Sequence, residues 1–113
     1  MNEMNESLAD LQDALLKAHA LLRARLAAAD SAPVRRELLK QLQAAAARVQ
    51  TVGGLLFAQQ CDALDAKVAD VRKASTKLKR ALADTESAKQ VVATLTDFFA
   101  LVDEAIDLAK TAV

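Results

Sequence analysis

The sequence has no tryptophan and no tyrosine, and its 113 residues include only two glycines, one proline, one cysteine and three phenylalanines. So few glycines and prolines leave too little turn chemistry for a β-sandwich or a barrel of short strands. Alanine, leucine and the charged and amide residues that favour helices fill most of the chain, while strand-favouring aromatic residues are few. The composition therefore predicts an all-α protein, and the length is that of one domain.

The residues that most often carry out catalysis or bind metals are equally scarce. Cys61 is the single cysteine and His19 the single histidine, so neither an internal disulfide nor a paired-cysteine zinc site can form. The Glu-x-x-His pattern of di-metal bundles is not present either. His19 has no evident nucleophile or orienting partner, and Asp62 beside Cys61 works against a reactive thiolate. We therefore expect no enzymatic activity, no cofactor and no metal, with Cys61 as a small buried side chain.

No segment of the sequence predicts export or insertion into a membrane. The first twelve residues carry acids and asparagines where a secretory signal has a basic start and an apolar run. No stretch of 18 residues is free of charge, as a membrane span would require. Together with the single cysteine, this pattern predicts a cytoplasmic protein.

Hydrophobic periodicity predicts a first helix over residues 5–29. Asn5 or Ser7 can serve as its N-cap. The helix ends at residues 30–33, because Pro33 disfavours helix at the residue before it and suits the first turn of the next helix. The apolar stripe of this first helix, at steps of three and four residues, is formed by Leu8, Leu11, Leu15, Leu22 and Leu26.

The middle of the chain allows two interpretations. Between residues 34 and 83 an apolar stripe runs from Leu38 to Leu82 in steps of three or four without a change of phase. Gly53 and Gly54 lie between two members of this stripe. Two adjacent glycines cost about 2 kcal/mol relative to alanine inside a helix, which favours a turn at this point. A turn, however, has no need to preserve the phase of the stripe. The preserved phase therefore favours one long or kinked helix over 34–83, and a break at 53–54 is the other interpretation.

A last helix is predicted over residues 86–112, after capping residues at 84–87. Its apolar face covers about half the circumference, against the ~100° typical of a surface helix, so one neighbouring helix cannot cover it.

The sequence thus predicts an antiparallel helical bundle with a long or kinked central helix, completed as a homodimer. The alternative is a monomeric up-down four-helix bundle with central helices at 34–52 and 55–83. The candidate interface residues on the last helix are Val91, Phe98, Leu101 and Leu108.

The net charge is zero, but the charges are unevenly spread. Residues 34–83 hold ten basic and four acidic side chains, whereas residues 84–113 hold six acidic and two basic ones. We expect the acids of the last helix to balance the basic side chains of the middle segment. The densest basic cluster lies in the segment RKASTKLKR and consists of Arg72, Lys73, Lys77, Lys79 and Arg80.

These observations predict a non-enzymatic helical module that binds another protein, as a scaffold, adaptor, chaperone or inhibitor, and that also self-associates. A first alternative is an amphipathic-helix protein that opens to bind an apolar or membrane surface. A second alternative is a nucleic-acid-binding protein that contacts phosphates through the basic cluster of residues 72–80. That cluster contains no aromatic residue for stacking on bases, and the isoelectric point near 6.6 is not that of a basic protein.

Overall fold

The computed structural model of the chain describes residues 3–83 and 88–111. These residues form helices and connections and contain no strand, so the prediction of an all-α fold is confirmed. The predicted capping residues at 84–87 lie outside the described part of the chain. The four helices are α1 (Glu6–Ala27), α2 (Ala32–Gly53), α3 (Asp62–Ala83) and α4 (Ala88–Thr111).

A polar side chain caps the start of each of the first two helices, and for α1 it is Asn5, one of the two residues that the sequence predicts. The side chain of Asn5 accepts a hydrogen bond from the backbone N–H of Leu8 at 3.1 Å, which satisfies one of the free donors at the start of α1. The side chain of Ser31 accepts from the N–H of Val34 at 3.3 Å at the start of α2. Pro33 lies in the first turn of α2, where its missing N–H costs no helical hydrogen bond.

Each helix contacts two of the others around a shared core. Helix α1 packs beside α2 and α3, and α4 packs beside α3 and α2, with the α2–α4 contact the smallest of the four. The Gln12 side chain of α1 donates to the backbone oxygen of Val49 near the end of α2 at 3.0 Å, so these two helices are antiparallel. Ser7 donates to Asp65, which places the starts of α1 and α3 at the same end of the bundle.

The segment 54–61 crosses this end of the bundle from α2 to α3, and α4 then returns antiparallel to α3. The ion pair of Lys67 with Glu104 joins the first part of α3 to the second part of α4. We call the end that holds the start of α1 the lower end. The bundle measures 49 × 21 × 17 Å.

All four helices contribute side chains to one hydrophobic core. Helix α2 contributes least, because only three of its residues are buried, each seven positions from the next. The largest fully buried side chains are Phe98, Leu8, Leu11, Leu15, Leu22, Leu38, Leu64, Leu78 and Leu95.

The prediction of one long central helix over residues 34–83 is wrong. Helix α2 ends at Gly53, and eight residues separate it from α3. The stripe keeps its phase because Val52 and Leu64 are both fully buried in the same core, with half-buried Leu56 packed against it from the crossing segment. A continuous apolar stripe therefore shows only that all these residues face one core.

The reason for expecting a second chain beside α4 is also removed. The wide apolar face of α4 packs against α3 on one side and α2 on the other, so one chain supplies both neighbours. Its buried residues extend from Val91 to Ala109. The width of this face is therefore accounted for inside a single four-helix bundle.

Replacing both Gly53 and Gly54 by alanine should stabilise the protein by about 1–2 kcal/mol. Neither glycine has a positive φ. An added Cβ would meet Gln12 Nε2 at 3.6 Å or the oxygen of Thr51 at 3.5 Å, which are ordinary contacts. Alanine restricts the unfolded chain and so gains about 0.4–1 kcal/mol at each compatible position. Chemical unfolding measures the gain, and light scattering checks that the solution size stays the same. A lower stability would show that the chain break needs glycine.

Candidate functional site

The five side chains of the basic cluster are all exposed on the second half of α3. They divide into two rows, because α3 packs against two helices. Arg72 and Lys79 line a groove between α3 and α1. Lys73, Lys77 and Arg80 line a second groove, between α3 and α4. The two grooves differ in how far their charges are balanced.

The groove toward α1 is largely balanced by ion pairs. It has a volume of about 530 Å³ and contains acids as well as cations. Lys17 pairs with Asp13 at 2.9 Å on α1 itself. Arg72 approaches Asp10 at 3.8 Å across the groove. Two of the three cations of this groove are therefore paired, while Lys79 forms no ion pair with a described residue.

The groove toward α4 holds three cations that form no ion pair with any described residue. Its volume is about 630 Å³, and Lys73, Lys77 and Arg80 line it together with Asp97 and half-buried Leu101. Asp97 is the one acid of α4 in this groove. Asp70 of α3 lines it as well, so the groove holds three cations and two acids, and none of the three cations forms an ion pair with a described residue.

Two acids of α4, Asp103 and Glu104, pair with cations of the middle segment that lie outside the basic cluster. Arg48 donates two hydrogen bonds to Asp103, at 2.8 and 2.9 Å, and its guanidinium lies 4.3 Å from the ring centre of Phe99. Lys67 pairs with Glu104 at 2.7 Å. The hydrogen bond and the charge of Glu104 raise the pKa of Lys67 above its usual value. These pairs fasten α4 to α2 and α3 in the lower half of the bundle.

The charges of the bundle separate along its long axis. The upper half consists of residues 17–42, 72–83 and 88–99, and it holds twelve basic and three acidic side chains. The lower half consists of residues 3–16, 43–71 and 100–111, and it holds ten acidic and three basic side chains. We call them the basic half and the acidic half. Two helices run in each direction, so their dipoles largely cancel and the side chains set this polarity.

Two of the four predicted interface residues are corrected by the structure. Val91 and Phe98 have no exposed surface, because they form part of the core against the neighbouring helices. Neither side chain has exposed surface in the single chain that a second chain could contact. Leu101 and Leu108 are half-buried at the edge of α4 and line the two grooves that α4 shares with α3. These two leucines remain interface candidates.

The single histidine and the single cysteine lie away from the basic half's α3–α4 groove. His19 is half-buried on α1, and Cys61 is half-buried just before α3, where it packs against the core. Within the described ranges, no three histidine, cysteine or acidic side chains come together as metal ligands would. Phe57 is 62% exposed on the crossing segment, at the acidic end.

No described helix combines the length and the apolar character needed to cross a bilayer. Comparison with known proteins adds no family and no relative. No protein-family model matches the chain, and no curated protein and no solved structure is significantly similar to it.

Proposed function

We propose that the protein is a non-enzymatic helical module that binds other proteins, and that the basic half docks an acidic surface of its partner. The observation that carries this function is the group of Lys73, Lys77 and Arg80, which share one groove without an ion pair among the described residues. An acidic partner would provide the counter-charges that α4 does not.

Charge complementarity of this kind acts mainly on recognition and on the rate of association. Opposite potentials steer two proteins together, and like charges placed opposite each other exclude wrong partners. The bundle is 49 Å long, several times the Debye length of about 8 Å at physiological ionic strength. A partner near the basic half is therefore little affected by the acidic half, although the whole chain has no net charge.

The surroundings of the cluster favour a protein partner over a nucleic acid. Stacking on bases requires exposed aromatic rings beside the cations. Phe98 and Phe99 are buried in the core, and Phe57 is exposed at the opposite end of the bundle. A long polyanion would also be repelled by the ten acids of the acidic half.

A membrane surface is favoured less because the apolar faces of all four helices are already used. The core includes buried residues from each helix, so binding to an apolar surface would require the bundle to open. The proposed function keeps two further expectations from the sequence, a cytoplasmic location and self-association as a homodimer.

The test is capture of partner proteins by a purified bait, followed by reconstitution with the purified partner. In the variant K73Q/K77Q/R80Q, three exposed cations of the groove lose their charge. The control variant R23Q/R36Q/K40Q loses three exposed cations from α1 and α2 in the same half. We expect a partner that binds the wild type and the control and binds the groove variant at least tenfold more weakly, with affinity falling as salt rises.

Two results would contradict the proposed function. In the first, no purified protein distinguishes the groove variant from the control. In the second, the groove-dependent binding is to an oligonucleotide in a mobility-shift assay, or to anionic phosphatidylglycerol vesicles in a flotation assay. Binding to the oligonucleotide would make the partner a nucleic acid, and binding to the vesicles would make it a membrane.

A further inference from the structure

We propose that a second copy of this chain docks antiparallel on the α3–α4 face, so that the basic half of each copy covers the acidic half of the other. This inference rests on the proposed function, because it names the acidic half of a second copy as one partner of the basic groove. The observations that carry it are the order of the charges along this face and their spacing.

The α3–α4 face changes from basic to acidic along the bundle. Its upper groove, of about 630 Å³, holds the three cations that form no ion pair with described residues, together with Asp70 and Asp97. Its lower groove, of about 510 Å³, is lined by Glu104 and Asp107 together with Lys67. Half-buried Leu101 and Leu108 line the upper and lower grooves, and their spacing of seven residues puts them on one side of α4. The face thus has an apolar line with charges of opposite sign at its two ends.

The spacing of the charges follows from the helix rise of about 1.5 Å per residue. The ion pair of Lys67 with Glu104 marks one level shared by α3 and α4. Lys77 lies ten residues further along α3, which is about 15 Å higher. A two-fold axis halfway between these levels, perpendicular to the bundle, places Lys77 of each copy at the level of Glu104 in the other.

The same axis brings two more cations of the face near the level of acids in the other copy, and it also brings Asp97 to the level of Asp70 and Lys77 to the level of Lys67. Arg80 of one copy comes to the level of Asp107 in the other, and Lys73 comes within one residue of the level of Asp70. Asp107 and Asp70 form no ion pair with described residues, and the charge of Asp70 contributes to the raised pKa of Lys67. Leu101 lies within about 3 Å of the level of the axis, where it would meet Leu101 of the second copy.

Within one copy, Lys77 and Glu104 lie at levels about 15 Å apart, which is beyond the reach of an ion pair. The two acids of the upper groove, Asp70 and Asp97, form no ion pair with its cations. A two-fold antiparallel pair makes the same opposite-charge contacts twice, as a self-complementary interface does. A parallel pair would set cations against cations and is disfavoured by the same charges.

Sedimentation velocity of the purified chain tests this inference without any other partner. At concentrations up to about 1 mM, which reach weak associations, we expect a dimer at about 0.01 M salt and dissociation at about 1 M. The variants K73E/R80E and D70K/D107K should each associate at least tenfold more weakly than the wild type. An equal mixture of the two should form a heterodimer, because one set of contacts is restored with reversed signs and the other set is the wild-type one. Both variants leave the pair of Lys67 with Glu104 intact.

A control separates this register from a general effect of net charge. The variant R36E/K40E changes the net charge as much as K73E/R80E does, but on α2. It should keep the wild-type dimer, and it should not form a heterodimer with D70K/D107K more readily than the wild type does. Circular dichroism verifies that each variant is folded.

Three results would overturn the inference. The wild type could stay monomeric at low salt, or it could form assemblies larger than a dimer. The mixture of K73E/R80E with D70K/D107K could also fail to form a heterodimer. The proposed function fails separately, through the loss of groove-dependent binding to a different protein. A monomeric wild type that still binds such a protein would remove the second copy and leave the proposed function in place.

Discussion

Phe98→Ala should destabilise the protein by about 3–5 kcal/mol, the usual cost of truncating a buried aromatic side chain. Phe98 is 0% exposed and lies on the wide apolar face of α4. Its ring also contacts that of Phe99, with centroids 5.8 Å apart. The substitution removes the transfer free energy of the ring and leaves a cavity that helices in contact on two sides cannot close. Urea unfolding monitored by circular dichroism measures the loss.

Phe57→Ala is the matched control for this prediction. It makes the same change in side-chain size on the crossing segment, where Phe57 is 62% exposed. Exposed substitutions away from special backbone positions usually change stability by no more than about 0.5 kcal/mol. Equal losses in the two variants would contradict the placement of Phe98 at the centre of the core. A loss confined to Phe98→Ala would agree with it.

The features that the sequence predicts well are those decided by neighbouring residues. Asn5 and Ser31 cap their helices because a cap needs only a side-chain oxygen and an N–H three residues later. The break before Pro33 follows from the proline ring and its neighbour alone. The all-α class follows from composition. None of these features depends on how the helices pack against one another.

The break after Gly53 could not be read from the sequence because distant contacts hold it. The N–H of Asn5 donates to the oxygen of Leu56 at 2.7 Å, and the Asn5 side chain donates to the oxygen of Ala58 at 3.0 Å. These bonds fix the crossing segment against the start of α1. The apolar periodicity does not reveal these hydrogen bonds, so the periodicity alone favours the longer helix.

The candidate site could be predicted only in part for a similar reason. The basic cluster of residues 72–80 is visible in the sequence, and its five side chains are exposed. Which acids lie beside it depends on the direction and neighbours of each helix. Three of the four acids in the described part of α4 fall in the lower half, where Asp103 and Glu104 pair with Arg48 and Lys67. The sequence does show that the side-chain charges change from acidic to basic partway along α1 and α3. The two basic halves can be placed at the same end of the bundle only when the directions of the helices are known.

Val91 and Phe98 show the same limit for apolar residues. A wide apolar arc on a helix identifies residues that need covering, but it does not say whether the cover comes from the same chain. Here α2 and α3 provide it. Of the four interface candidates, only Leu101 and Leu108, at the edge of the arc, keep part of their surface exposed to solvent.

Asn5→Ala should destabilise the protein by about 2–3 kcal/mol, well beyond the cost of an ordinary cap. Asn5 is 2% exposed, and its side chain accepts from the N–H of Leu8 and donates to the oxygen of Ala58. Loss of the cap alone costs about 1 kcal/mol. The oxygen of Ala58 also loses its bond at a part-buried position, and an unsatisfied buried polar group costs about 1–3 kcal/mol.

Ser31→Ala provides the comparison that isolates the long-range bond. Ser31 caps α2 in the same way, but it is exposed and makes no contact across the bundle through its side chain among the described residues. Its replacement should cost only about 1 kcal/mol. Denaturant unfolding gives both losses, and hydrogen exchange should show faster exchange at the amides of residues 54–61 in Asn5→Ala alone. Equal losses, with unchanged exchange in that segment, would mean that the bond to Ala58 does not hold the crossing segment. The chain break would then depend on the local sequence after Gly53 and not on the start of α1.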